Sequence, residues 1–287
     1  MAFRGSAAVA AGLTTWTVLQ GPRFLRLFPD TYVAAPDNGP PDLELRSLAA
    51  YRYVEGRGVL SGYSAAEALG ASCGPRDAPA EVTVPHRGQR SPAGLIVNRS
   101  KLLPREIWQV EGLRVTSPVR TAYDLARRGD MVERVVAVDR LANVHRFDPD
   151  VLLHFSARNR TARGNRLVPD VLAHADWRSG SPMETRLRML IVQAGLPRPE
   201  VQWAVQDERT RTAVWLDLAW PDLKIGIEYE GQDHHTEPAR VLRDVGRYTG
   251  LVDGGWRIYR YTKFEILRRR DLIVAQLTRA RGRALNA

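Results

Sequence analysis

Residues 215–235 read WLDLAWPDLKIGIEYEGQDHH, and here acidic residues stand inside strongly apolar, strand-like runs. In an alternating strand, Trp215, Asp217 and Ala219 share one face while Leu216, Leu218 and Trp220 share the other. Pro221-Asp222 has turn chemistry, and the next run puts Ile225, Ile227 and Tyr229 on one face with Gly226, Glu228 and Glu230 opposite. A tight hairpin closed by Pro221-Asp222 sets Asp217 across from Gly226, so that Asp217, Glu228 and Glu230 project from one face. Converging anions repel, which raises some pKa values or calls for a cation, and an all-oxygen set of this kind suits Mg²⁺ or Mn²⁺ better than zinc. Such a site points to phosphoryl chemistry. The plain alternative is a half-buried hairpin with solvated acids on its polar face.

Outward from this hairpin, Ser181-Pro182 is a serine cap with proline behind it, opening a helix whose stripe is Leu187, Leu190, Ile191 and Ala194. Glu184 lies at the edge of that stripe. Three roles are open to it: a fourth carboxylate facing the sheet, a capping box with Ser181, or a surface ion pair with Arg188 one turn on. Downstream, Arg243, Asp244 and Arg247 fall on an expected helix, with the two arginines one turn apart and suited to holding a phosphate. Gly254-Gly255 then breaks the chain before a strand at Trp256 to Tyr261, and Phe264 to Arg283 closes it as a basic helix.

The upstream region has a different texture. Two short helices are expected over residues 6–12 and 15–20, the second capped by Thr14, followed by strands at 24–28 and 32–33 around a Pro29-Asp30 turn, as in a small winged helix. Helices are expected at Leu43 to Val54 and Ser64 to Gly70, and strands at Glu81 to Pro85, Gly94 to Val97, Ile107 to Val110 and Leu113 to Val115. Ser117-Pro118 starts another helix, and Val132 to Leu141 forms one more. Asp124 and Asp139, on these helices, are expected at the surface or in caps. Arg158, Arg160, Arg163 and Arg166 lie in a polar stretch that either contacts phosphate or forms a solvated loop.

Composition bounds the partners. The 287 residues carry 42 Lys and Arg against 32 Asp and Glu, a net charge of +10 that favours a polyanion. A single cysteine, Cys73, rules out an intramolecular disulfide and fits a reducing cytoplasm. Ala7 to Leu19 imitates the apolar part of a secretion signal, but three threonines interrupt it, and no run approaches the ~20 apolar residues of a membrane span.

Two stretches resemble known families. Arg26 to Val33, RLFPDTYV, is similar to the N-terminal domain of AbiEi-like antitoxin proteins, with Asp30 where that family usually has glycine, and Thr116 to Ala126, TSPVRTAYDLA, resembles a segment recurring in the same group. Met183 to about Thr278 resembles the very-short-patch-repair endonuclease-like group of the PD-(D/E)XK nuclease superfamily. The matching pieces are Glu184, Asp217, Glu228-Tyr229-Glu230-Gly231, His234-His235, Arg243-Asp244 with Arg247, and Gly255-Trp256-Arg257-Ile258. That resemblance implies a metal-dependent endonuclease core with Asp217 and Glu228 as ligands of Mg²⁺ or Mn²⁺, Glu184 as an assisting acid, and His235, with His234 behind it, moving the proton. Glu230 stands where the superfamily has lysine.

The expected architecture is α+β in three parts: a winged-helix-like, antitoxin-type region over 1–75, a mixed α/β antitoxin-like region with a helical linker over 76–177, and a restriction-endonuclease-like domain over 178–287. The expected function is a DNA endonuclease with an N-terminal region that binds nucleic acid or a partner protein. Its alternative is a non-catalytic DNA-binding regulator or antitoxin-like protein retaining a degenerate nuclease fold.

Overall fold

The computed structural model describes residues 1–85, 88–206, 213–231 and 249–286. The chain is α+β and groups into two compact units, Met1–Gly129 with Val144–Leu172, and Asp130–Asn143 with Ala173–Ala287.

The first unit begins with β1 (Ala2–Arg4), α1 (Gly5–Ala10), α2 (Trp16–Leu19), β2 (Phe24–Phe28) and β3 (Thr31–Ala34), whose strands form an antiparallel sheet in the order β1-β3-β2. The cap of α2 is Thr15, which accepts a hydrogen bond from the Val18 N–H, and not Thr14. The β2–β3 turn places Asp30 at φ 52°, a left-handed conformation that Asp tolerates better than most residues. Its carboxylate accepts the Ser6 N–H at 2.7 Å and the Ser6 hydroxyl at 2.6 Å, so the turn is tied to the start of α1. Phe28, Tyr32, Val33 and Leu19 are buried beneath.

A five-stranded mixed sheet follows, in the order β6-β5-β4-β8-β7, from β4 (Val59–Leu60), β5 (Ala80–Val84), β6 (Leu95–Arg99), β7 (Ile107–Val110) and β8 (Leu113–Thr116). β4 lies before residue 76 and is the centre of this sheet. The helices around it are α3 (Leu43–Tyr53), α4 (Gly62–Ala68), α5 (Pro118–Ala126) and α7 (Val151–Arg158); α6 (Met131–His145) and α8 (Val168–His174) lie between and after the last two. The Asp42 carboxylate caps α3 and the Ser117 hydroxyl caps α5, the latter at the expected Ser-Pro start. α7 and α8 fall where the sequence suggested a helical linker without placing individual helices.

The second unit is built on α9 (Pro182–Gln193), β9 (Glu200–Gln206), β10 (Ala213–Trp220), β11 (Ile225–Glu230), β12 (Arg257–Thr262), α10 (Lys263–Arg268) and α11 (Arg270–Leu285). The sheet order is β12-β11-β10-β9, with β12 parallel to β11 and the other neighbours antiparallel. One face buries Leu218, Trp220, Ile225, Ile227 and Tyr261 against Leu187, Leu190 and Ile191 of α9 and Ile273 and Leu277 of α11. The other gathers Val214, Leu216 and Ala219 with Leu251. Fully burying each such aliphatic side chain contributes ~1.5–3 kcal/mol, which makes these two layers the main source of order in the unit. The expected single closing helix is two, because Arg269 leaves helical geometry at φ −130°, ψ 41°.

A buried ion pair joins Asp130–Asn143 to the rest of this unit. Arg188, wholly buried, donates to the Asp139 carboxylate and to the His174 carbonyl. Asp139 also accepts the Thr185 hydroxyl at 3.0 Å and the Asp176 N–H at 2.7 Å. Burial pushes the Asp139 carboxyl up to about 7, although Arg188, the Asp176 N–H and the Thr185 hydroxyl all pull the other way. Asp139 is therefore neither a surface nor a capping residue, and Arg188 pairs with it instead of with Glu184.

Candidate functional site

The hairpin carrying the carboxylates closes differently from the expectation. Pro221–Leu223 forms one short helical turn and Lys224 adopts φ 48°, so four residues connect the closing pair Trp220 and Ile225. A two-residue turn would have set Asp217 across from Gly226; the four-residue connection moves the register by two and pairs Gly226 with Ala219. An even shift keeps the faces, whereas an odd one would exchange them. Continuing the ladder one step brings Asp217 beside Glu228, and the Asp217 carboxylate accepts the Tyr229 N–H at 2.8 Å.

The strand alternation also slips at Asp217. Leu216 and Ala219 pack in one cluster while Leu218 and Trp220 pack in the other, so Leu216 does not share a face with Leu218 and Trp220 as simple alternation requires. Opposite, on β9, Gln202 takes φ 52°, and the paired positions run through Trp203–Leu216 and then Val201–Leu218, passing over Gln202 and Asp217. The register is the same on both sides of this break, one residue being passed over on each strand, so the ladder is interrupted locally at a left-handed residue without an inserted one.

Gln202 leaves the ladder at that break. Its amide donates to the Glu184 carboxylate at 3.0 Å, which also accepts the Gly180 N–H at 2.8 Å, while Ser181 accepts the Glu184 N–H. Glu184 is thus built into the start of α9 and its tie to β9, the capping alternative in a modified form, with Gly180 replacing Ser181 as the donor.

Glu228, buried at the middle of β11, lies beside Arg260 in the parallel β11–β12 ladder and receives its Nε at 3.3 Å. Arg260 was not a predicted site residue. The signal was a cation at an alternate position of an aromatic strand, but its partner depends on which strands neighbour each other. Glu230 is half-buried and pairs in the ladder with Thr262. Above Glu228 on the same face, Gly226 leaves room for Leu216 and Ile258: a Cβ there would stand 2.6 Å from Ile258 Cδ1 and 2.9 Å from Leu216 Cδ1.

The described residues therefore gather Asp217, Glu228 and Arg260 at one end of this face. Glu184 is engaged by Gly180 and Gln202, and among the described residues no three His, Cys, Asp or Glu side chains are grouped to hold a metal ion. His234, His235, Arg243, Asp244 and Arg247 lie outside the described residues. Chemically, Arg260 places a cation beside Glu228, and two carboxylates on neighbouring strands are the share of ligands that a protein ordinarily gives Mg²⁺, with water and substrate phosphate completing the octahedron.

A second surface stands out in the first unit. α2 exposes Trp16, Thr17 and Val18 and buries only Leu19, Gln20 just after it is exposed, and Arg23 before the following strand and Arg26 within it are exposed too. Helix, turn, helix and a two-stranded hairpin follow in order here, the hairpin joined to β1 in one sheet.

Comparison with known proteins supports the antitoxin resemblance. Residues 58–169 match the family described as the AbiEi antitoxin C-terminal domain. That span includes the TSPVRTAYDLA segment and ends before the segment resembling the repair endonucleases. Two proteins of Mycobacterium tuberculosis, the uncharacterized proteins MT2308 (strain CDC 1551 / Oshkosh) and Rv2248 (strain ATCC 25618 / H37Rv), are each 28% identical over 196 residues, covering 68% of this chain and 71% of their own length. No helix among the described residues is long and apolar enough to cross a membrane.

Proposed function

We propose that the protein is a cytoplasmic DNA-binding regulator of the antitoxin type that does not cut its target. The observation carrying this reading is the helix–turn–helix and wing at the N-terminus, where α2 is exposed on nearly every side and Arg23 and Arg26 flank it. Two facts support it: the antitoxin-domain match over residues 58–169 and the net charge of +10. The antitoxin description adds a partner protein as a second candidate ligand. Fluorescence anisotropy with labelled DNA from upstream of its own gene tests the reading. Arg23→Ala with Arg26→Ala should weaken binding and flatten its salt dependence, each lost phosphate contact removing ~1 from the slope. Equal affinity and equal slope in the variant would refute DNA binding through this surface.

A metal-dependent nuclease is the second reading, favoured by the adjacency of Asp217 and Glu228 on neighbouring strands. In that reading the two carboxylates would hold Mg²⁺ or Mn²⁺, which would polarise a scissile phosphate. Incubating the protein with supercoiled and linear DNA plus either metal decides between the two. Cleavage abolished by Asp217→Ala would establish the nuclease, and absence of cleavage, or cleavage unchanged by that substitution, would eliminate this site as its source.

A further inference from the structure

The first unit contains a cleft of about 790 Å³ whose walls carry Arg99, Arg120, Arg127, Arg128, Arg163 and Arg166. We propose that it binds the phosphate groups of a phosphorylated ligand, the charge being supplied chiefly by Arg99, Arg163 and Arg166.

The arginines divide into two sets. Arg120 is buried and fully engaged, donating to Asp124 at 2.7 Å, Glu106 at 3.1 Å and the Ser100 hydroxyl at 3.2 Å. Arg127 donates to the other Asp124 oxygen at 2.6 Å and to the Arg163 carbonyl at 2.7 Å, and Arg128 pairs with the buried Glu81. These three are held by three carboxylates and form the floor. Arg99, Arg163 and Arg166 are exposed and form no ion pair among the described residues, so three positive charges are left uncompensated around one concavity.

The cleft is built, not incidental. Gly164, at φ 78°, brings the loop so close to α5 that a Cβ there would lie 2.1 Å from the Arg127 carbonyl oxygen; this contact sets the loop bearing Arg163 and Arg166 against the end of α5. Arg127 Nε is buried with no hydrogen-bond partner among the described residues, a donor left over in the cleft wall. The Asn98 side chain and the Ser100 hydroxyl, whose oxygen already accepts from Arg120, add neutral polar groups at the end of β6.

The chemistry selects phosphate. Guanidinium groups match phosphate oxygens in paired geometry, and three of them neutralise more charge than a single carboxylate carries. The volume falls within the range of small-ligand sites, large enough for a nucleotide. The whole cleft lies inside the stretch 58–169, and its occupation does not depend on DNA binding by α2.

Isothermal titration of the full chain with inorganic tripolyphosphate tests this, with competition by a nucleoside triphosphate and by a short single-stranded oligonucleotide. Wild type should bind tripolyphosphate, and Arg163→Ala with Arg166→Ala should lose about tenfold or more in affinity, equivalent to ~1.4 kcal/mol. Because both side chains are exposed and form no ion pair among the described residues, circular dichroism and thermal melting of the variant should match wild type, which separates lost binding from lost fold. Competition by the nucleoside triphosphate alone identifies a nucleotide as the source of the phosphates; equal or stronger competition by the oligonucleotide identifies a strand backbone; each supports phosphate recognition. No binding by wild type, or equal affinity in a folded double variant, would overturn it.

Discussion

Replacing Asp139 by alanine removes the carboxylate that receives three donors in the interior of the second unit: Arg188, the Thr185 hydroxyl at 3.0 Å and the Asp176 N–H at 2.7 Å. Arg188 has no exposed surface through which to rehydrate and keeps only its bond to the His174 carbonyl. Breaking a buried pair from the side that strands the charge costs ~3–5 kcal/mol. The reverse truncation should be milder. In Arg188→Met the remaining carboxyl, already raised to about 7 by burial, loses a neighbouring cation and rises further, so it holds its proton at neutral pH. That variant loses two hydrogen bonds and gains apolar contact, for about 1–3 kcal/mol. Combining Asp139→Leu with Arg188→Met should recover at least half of the larger loss, since a well-packed apolar pair often equals a buried ion pair. Amide exchange in α9 across a denaturant series reports this unit separately from the rest of the chain. The same pair fixes a pH trend. The folded-state value lies above the ordinary 3.8, so the stability this group contributes is complete below 3.8 and is lost as pH rises towards about 7. Asp139→Asn should flatten that slope. An Arg188→Met loss equal to or greater than the Asp139→Ala loss would refute the reasoning.

Asp30 predicts the opposite pH trend for the N-terminal sheet. Burial raises its pKa, but the Ser6 hydroxyl and N–H, with Arg4 and Arg26, outweigh it and leave the value below 3.8, so its contribution is present above 3.8 and lost on further acidification; Asp30→Asn should flatten acid unfolding followed by circular dichroism. Gly226→Ala, which forces Leu216 and Ile258 apart between two buried layers, should lower stability by about 1–3 kcal/mol in thermal melts, and an unchanged melting temperature would show that those side chains have room to move.

What the sequence made legible was local. Ser117-Pro118 and Ser181-Pro182 signalled helix starts because a hydroxyl cap and a proline act within one turn, and both serines do accept the expected N–H. Asp30 was legible for the same reason, its left-handed φ following from turn chemistry. β9 was missed because its burial does not alternate and Gln202 interrupts it. β4, two residues long, carries too little periodicity to read. Asp139 and Arg188, 49 positions apart, have no pattern linking them. In the candidate site the acids were visible as acids, and Asp217 and Glu228 do lie on adjoining strands. Their partners were not visible: Arg260 comes from a parallel neighbour and Gln202 from a left-handed break in the β9 ladder, both consequences of the assembled sheet.

The four-residue connection between Trp220 and Ile225 also sets which insertions and deletions this hairpin tolerates. Removing or adding two residues there slides one strand past the other yet leaves Ile225, Ile227 and Glu228 facing the way they do now. A one-residue change exchanges the faces of β11, sending Ile225 and Ile227 towards the layer of Val214 and Leu216 and driving Glu228 into the layer beneath α9 and α11, unless a bulge absorbs it. Length variation in this loop among homologous chains should therefore come in pairs, and a homologue that breaks the rule should carry an extra strand residue nearby.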